Sequence, residues 1–269
     1  MLFTIQFQDN PDADPVATLL YHLSLSASEL AICIAVVFLA GCVRGFAGFG
    51  LSAVAMACLV LILPPVELIP VFYVLEGAAS LAMFRGGVRD ADMSQVWPLV
   101  IGSYVGIPIG LFATTSVSPE LSKLTAVLII LILTILQFSR RMPVVLATKP
   151  GRYGVGTTAG IVTGLASVGG MVVALYVLAS QAKPKEMRAA LTMFLFVGMF
   201  TSLIYLVMYG VMTQTALIRG AVLSPVTLAG VLIGTLAFQP AWHVFYRKFC
   251  LILLIAICLA SLGRIALWA

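Results

Sequence analysis

Charge is what this sequence has least of. Only 9% of its 269 residues are Asp, Glu, Lys or Arg, against 62% hydrophobic, and the mean hydropathy is +1.14. A soluble domain does not carry that balance. Beyond residues 1–28 no polar stretch is long enough to fold alone, so function has to reside inside the bilayer. Histidine is nearly missing, with His22 and His243 the two examples. The five cysteines (Cys33, Cys42, Cys58, Cys250, Cys258) lie in apolar segments and lack metal-ligand spacing. They read as small buried residues, which excludes a disulfide or zinc framework and leaves no cofactor or metal to expect. The lack of an intramembrane histidine or a paired-acid motif argues against an intramembrane enzyme. No ATP-binding loop is present, which excludes direct ATP hydrolysis. The net charge of +5 is not a nucleic-acid signature, because no basic face remains once the loops are placed. No positive n-region precedes an apolar core at the N-terminus, so it does not read as a cleaved signal peptide.

Glycine, by contrast, is placed with a pattern. GCVRGFAGFG (Gly41 to Gly50) interrupts one apolar stretch, and GIVTGLASVGG (Gly160 to Gly170) interrupts another. A shift of 119 positions lays Gly41, Gly45 and Gly50 on Gly160, Gly164 and Gly169, and Pro65-Val66-Glu67-Leu68 on Pro184-Lys185-Glu186-Met187. Further along the shift becomes 124, where Gly106 and Gly110 match Gly230 and Gly234, and Lys123 matches Arg247. The second copy therefore holds about five extra residues. Interrupted spans repeated in both halves point to a midplane substrate site in a secondary transporter.

Apolar segments fall near 29–43, 46–63, 66–84, 94–115, 121–138, 153–168, 170–182, 187–210, 216–238 and 249–267. The expected fold is an all-α integral membrane protein of about 8–10 membrane segments. Each short pair is either a broken helix or a re-entrant hairpin. The expected organisation is an exposed lead-in (1–28), a first membrane repeat (29–138), a basic linker (139–152) and a second repeat (153–269). Arg140, Arg141, Lys149 and Arg152 mark that linker as cytoplasmic. Counting outward places 85–92, 183–188 and 239–248 inside too, and with them eleven of the 15 lysines and arginines. Lys123, Arg219 and Arg264 fall at the outer ends, and both termini come out external. Each half then has odd parity, so the two repeats insert with inverted topology.

The Gly41–Gly50 break followed by Pro64-Pro65, the Gly160–Gly170 break, the Gly102-xxx-Gly106-xxx-Gly110 helix and the basic central loop together resemble the sulfite exporter TauE/SafE family of membrane transporters. The resemblance covers roughly residues 29–267. It implies transport of small sulfur-containing or organic anions, such as sulfite, sulfoacetate and other sulfonates, often outward. A multi-pass protein of a bacterial inner membrane follows, with a small anion and the lipid bilayer as its partners. A homo-oligomer is left open.

Arg44 is the sharpest candidate for binding the anion. Burying an arginine in a membrane costs about 2.5–3.5 kcal/mol even on the mild insertion scale, and its planar fork suits a carboxylate or sulfonate. The competing reading puts it at the cytoplasmic surface as one more inside charge. Gly45, Gly48 and Gly50 in the first break, and Ser167, Gly169 and Gly170 in the second, let a helix aim its N-terminal amides at an anion, with the Ser167 hydroxyl as a further donor. Close helix packing is the alternative, and it suffices for Gly102, Gly106, Gly110, Gly230 and Gly234. Glu76 is the acidic residue well inside a span, with Tyr73, Gly77 and Ser80 on about the same helical face. It is a counter-ion for Arg44, a proton carrier, or a residue nearer the headgroups. The matching position in the second repeat is Leu195, so any such role is asymmetric. Glu67 and Glu186 suit helix starts after proline. Thr192, Ser202 and Tyr205 give the eighth segment a polar side along a pathway, while Met171, Met193 and Met199 read as packing. A negative interior expels a monovalent anion with about 2.3 kcal/mol per 100 mV, which favours export. The alternative is a proton-coupled importer using Glu76.

Overall fold

A computed structural model describes residues 20–139, 149–179, 183–238 and 243–268. Besides the helical residues 20–23, ten helices run through them: α1 (Ala27–Ala47), α2 (Leu51–Leu59), α3 (Pro65–Asp90), α4 (Met93–Ser116), α5 (Pro119–Ser139), α6 (Lys149–Ala166), α7 (Gly169–Ala179), α8 (Pro184–Met208), α9 (Gln214–Leu236) and α10 (His243–Trp268). The described residues contain no strand. Six of the helices, α1, α3, α4, α5, α8 and α9, are long and apolar enough to cross a membrane. The protein is thus an all-α membrane protein, and each apolar segment of the sequence corresponds to one helix. Most of the lead-in, 1–19, with Asp9, Asp12 and Asp14, and most of the basic linker, 140–148, lie outside the described residues.

Local chemistry sets the helix starts. Ser26 accepts a hydrogen bond from the Glu29 amide while Glu29 accepts one from the Ser26 amide at 2.8 Å, a reciprocal cap for α1. Pro65 and Pro184 occupy the first turns of α3 and α8, where a missing N–H costs nothing. Asp92 caps α4 by accepting from the Ser94 amide at 3.0 Å. Hydrogen bonds from Ser94 and Gln95 hold its carboxyl below the usual carboxylate range.

Two expectations need correction. Arg44 and Gly45 do not sit at the first break, because α1 continues through them to Ala47 and the chain turns at Gly48–Gly50. Likewise α6 runs through Gly160 and Gly164, and the second turn is confined to Ser167–Val168. The glycines inside the helices serve contact instead. An added Cβ on Gly45 would strike the Val231 carbonyl of α9, and one on Gly164 would strike the Leu111 amide of α4. The second correction concerns the connections at 85–92 and 183–188. Arg85 and Arg89 lie on the last turns of α3, and Lys185 and Arg188 on the first turns of α8.

The packing crosses between halves. Helix α4 lies on α6 through Gly102, Gly106 and Gly110 against Gly156, Gly160 and Gly164. The corresponding pair, α9 on α1, meets through Gly230 and Gly234 against Gly41 and Cys42. Small residues at these seams let backbones touch. Helices α3 and α8 pack together, as do α5 and α10. Arg219 of α9 donates to Glu67 at 2.8 Å and to the Leu23 carbonyl at 2.8 Å, so Glu67 anchors an ion pair as well as a helix start.

Candidate functional site

The two breaks share one backbone design. Gly48 and Ser167, 119 positions apart, both adopt left-handed conformations, with φ of 83° and 59°. Both donate their amide to the carbonyl four residues back, Arg44 and Thr163 respectively, at 2.8 Å. A short helix then begins, α2 or α7. Glycine takes this conformation freely, whereas a serine there stores strain of about 1–2 kcal/mol. Strain of that kind is concentrated at functional positions.

In the first half the start of α2 already holds a carboxylate. Glu76 Oε1 accepts from the Ser52 hydroxyl at 2.9 Å and from the Ser52 amide at 3.3 Å. Its Oε2 accepts from Arg44 Nε at 2.9 Å. Arg44 is fully buried and spends its other donors on Ser80 Oγ at 2.9 Å and on the Gly48 carbonyl. The guanidinium therefore locks the first break to α3. Each of its three nitrogens has an acceptor, and it does not line the neighbouring cavity. Of the roles considered for Glu76, the geometry brings it to Arg44 as counter-ion.

In the second half the corresponding place is open. A cavity of about 60 Å³ runs between α3, α4, α8 and the second break. Ser167, Gly170, Thr163, Tyr73, Glu76 and Ser202 supply its polar wall, and Ile69, Ile107, Phe194, Leu195 and Met199 its apolar one. That volume suits an ion of a few heavy atoms and is far below the roughly 300–1,000 Å³ of drug-sized pockets. Leu195 stands where the first half has Glu76, and among the described residues no carboxylate bonds to the start of α7. Gly169 and Gly170 open that helix; the Met171 amide donates to the Val168 carbonyl at 2.9 Å, which leaves the amides of Gly169 and Gly170 without an intrahelical acceptor. A Cβ on Gly170 would rest 3.5 Å from Leu195, at ordinary contact, whereas one on Gly169 would collide with Thr163 and the Ala159 carbonyl.

The remaining sequence candidates fall elsewhere. Gly45, Gly48 and Gly50 do not line this cavity, and their link to it runs through Arg44 and Glu76. Ser80 is buried against Arg44. Thr192 lines a different cavity. Tyr205 sits against the Tyr104 ring at 5.2 Å and does not line this cavity. Sequence reasoning missed Ser52, Thr163 and Arg188, whose Nη2 donates to the Gly45 carbonyl at 2.6 Å. Thr163 was findable, since it is the partner of Arg44 under the 119-position shift.

Neither a curated protein nor a solved structure matches the chain. The family model described as sulfite exporter TauE/SafE matches residues 33–261, which includes both breaks, the cavity-lining helices and the seams between halves. The chain therefore belongs to the sulfite exporter TauE/SafE family of membrane transporters.

Proposed function

We propose that this chain is a secondary transporter or facilitator that carries sulfite or a small sulfonate such as sulfoacetate outward across a bacterial inner membrane. The anion binds at the start of α7, against Ser167 and Gly170. One observation carries this reading: the equivalent helix start in the first half, α2, is occupied by the protein's own carboxylate, Glu76. A substrate oxyanion takes the corresponding place at α7, where Leu195 supplies none. The dipole and first-turn amides favour negative charge there, and the apolar wall strengthens those interactions by excluding water.

The two halves act as inverted repeats joined by the basic 139–152 segment. The crossed packing of α1 on α9 and of α6 on α4 supports this arrangement, since exchanging the halves maps one pair onto the other. Such a pair of repeats supplies inward- and outward-facing states by rocking one bundle on the other.

The test is purified protein in liposomes, assayed for sulfite, sulfoacetate, taurine and acetate under an imposed potential. Sulfite or sulfoacetate is expected to move fastest, with net flux toward the positive side. A protein that passes acetate but neither sulfite nor a sulfonate would defeat the substrate assignment. A second reading, proton-coupled import, is favoured by Glu76 being 14% exposed toward the cavity beside Arg44. Under that reading Glu76→Gln abolishes accumulation against a gradient. Under the export reading the variant keeps downhill flux.

A further inference from the structure

A second cavity, of about 470 Å³, lies where the end of α3 meets the start of α8. Arg85, Arg89, Lys185 and Arg188 line it, and Asp90 is the carboxylate on its wall. Lys185 and Asp90 pair at 3.1 Å. The three guanidiniums have no carboxylate partner among the described residues. Basic residues at a helix end are ordinary on a cytoplasmic face, which accounts for Arg85, Arg89 and Lys185. It does not account for Arg188. That side chain is clamped, with Nη2 donating to the Gly45 carbonyl at 2.6 Å and to Thr235 Oγ1 at 2.9 Å. Its guanidinium lies 4.9 Å from the Phe238 ring centre. Yet its Nε is buried and has no acceptor. Nη1 has no acceptor either, and unlike Nε it is open to a neighbour of water size, so it is the donor that a ligand in the cavity would meet.

The cavity is also in line with the central one. Thr192 lines the basic cavity and Leu195, one turn along α8, lines the central cavity. On α8 Met193, packed on Gly87, comes between those two residues, and on α3 Ser80, bonded to Arg44, comes between Glu76 of the central cavity and Ala82 of the basic one.

We propose that this basic cavity is a second binding site for a small oxyanion, held at Arg188 Nη1, where the anion waits before passing to the central cavity. Arg85 and Arg89 draw anions to its mouth. The position in transit rests on the transport reading above, whereas oxyanion binding at Arg188 does not. A lipid phosphate offers the same chemistry, and the alignment with the central cavity favours a free ion.

The test is saturation binding of radiolabelled sulfite to the full chain in nanodiscs of neutral phosphatidylcholine. Two sites per chain are expected. Arg188→Gln weakens one by about tenfold or more, and Arg188→Lys weakens it less, because the charge survives without the fork. Ser167→Ala leaves that site unchanged. Arg85→Gln combined with Arg89→Gln, both at exposed positions, weakens it by about two- to threefold and flattens its salt dependence. This double variant keeps the test decisive if Arg188→Gln fails to fold. Binding indifferent to every one of these arginine substitutions overturns the proposal, even if a Ser167-sensitive site remains. An arginine-sensitive site without a Ser167-sensitive one supports the proposal and removes the central reading instead. Displacement of sulfite from the arginine-sensitive site by added phosphatidylglycerol makes the occupant a lipid headgroup and overturns the transit role.

Discussion

Arg44 places a full charge where none of its surface is exposed, and Glu76 answers it at 2.9 Å. Breaking such a pair from one side strands the other charge, at a cost of about 3–5 kcal/mol. Arg44→Met and Glu76→Leu should therefore each lower thermal stability in detergent markedly. The double variant should lose less than either single one, because the second half of the chain already tolerates Leu195 at the position matching Glu76. Additive losses would show that the pair is not coupled. Ser167 makes the opposite case. Ser167→Gly should raise stability by about 1 kcal/mol by relieving the left-handed serine, and should slow sulfite transport by removing its hydroxyl. A variant that is both more stable and fully active would take the hydroxyl out of the site. Arg44 and Glu76 were legible in the sequence because charge is so scarce there. Their pairing was open, since it depends on α3 crossing α1. Ser52 carried no signal, because hydroxyls are common in apolar helices and show their use only through the partner they meet.

Glycine was the most informative and the most ambiguous element-level signal. The runs and their interruptions gave ten segments and the two breaks. The same residue type, however, marks both a turn and a close approach. Gly48 is a turn and Gly45, three residues earlier, is a seam, and nothing local to the sequence separates them. The separation comes from α9, whose backbone passes over Gly45. The seam of α4 on α6 gives the sharpest consequence. A Cβ on Gly106 would meet the Thr157 carbonyl and the Ile161 amide, backbone atoms that cannot rotate away. Gly106→Ala should destabilise the protein by about 1–3 kcal/mol, read as a lower melting temperature of the purified protein. Gly154→Ala, where nothing lies within 4 Å, should leave stability unchanged or raise it by up to about 1 kcal/mol. Equal behaviour of the two would contradict the seam.

At the scale of the molecule, each half contributes a short helix behind a left-handed turn, and the halves differ in what meets that helix. The first meets Glu76 and Arg44, which fix it. The second meets a cavity of about 60 Å³. The 119-position repeat was readable in the sequence, and so was the family. The division of labour between the breaks was not, because it rests on which side chains α3 and α8 bring to them. The central claim is that a sulfur anion passes through the cavity at the start of α7. Gly170→Val tests it most directly, since that position has room for a first carbon 3.5 Å from Leu195 and further methyls extend into the cavity. The measurement is sulfite efflux from liposomes at matched amounts of folded protein under an imposed potential. The account predicts wild-type efflux that rises with the potential and a loss of about tenfold or more in Gly170→Val, one decade corresponding to about 1.4 kcal/mol of barrier. Undiminished efflux in Gly170→Val would contradict it.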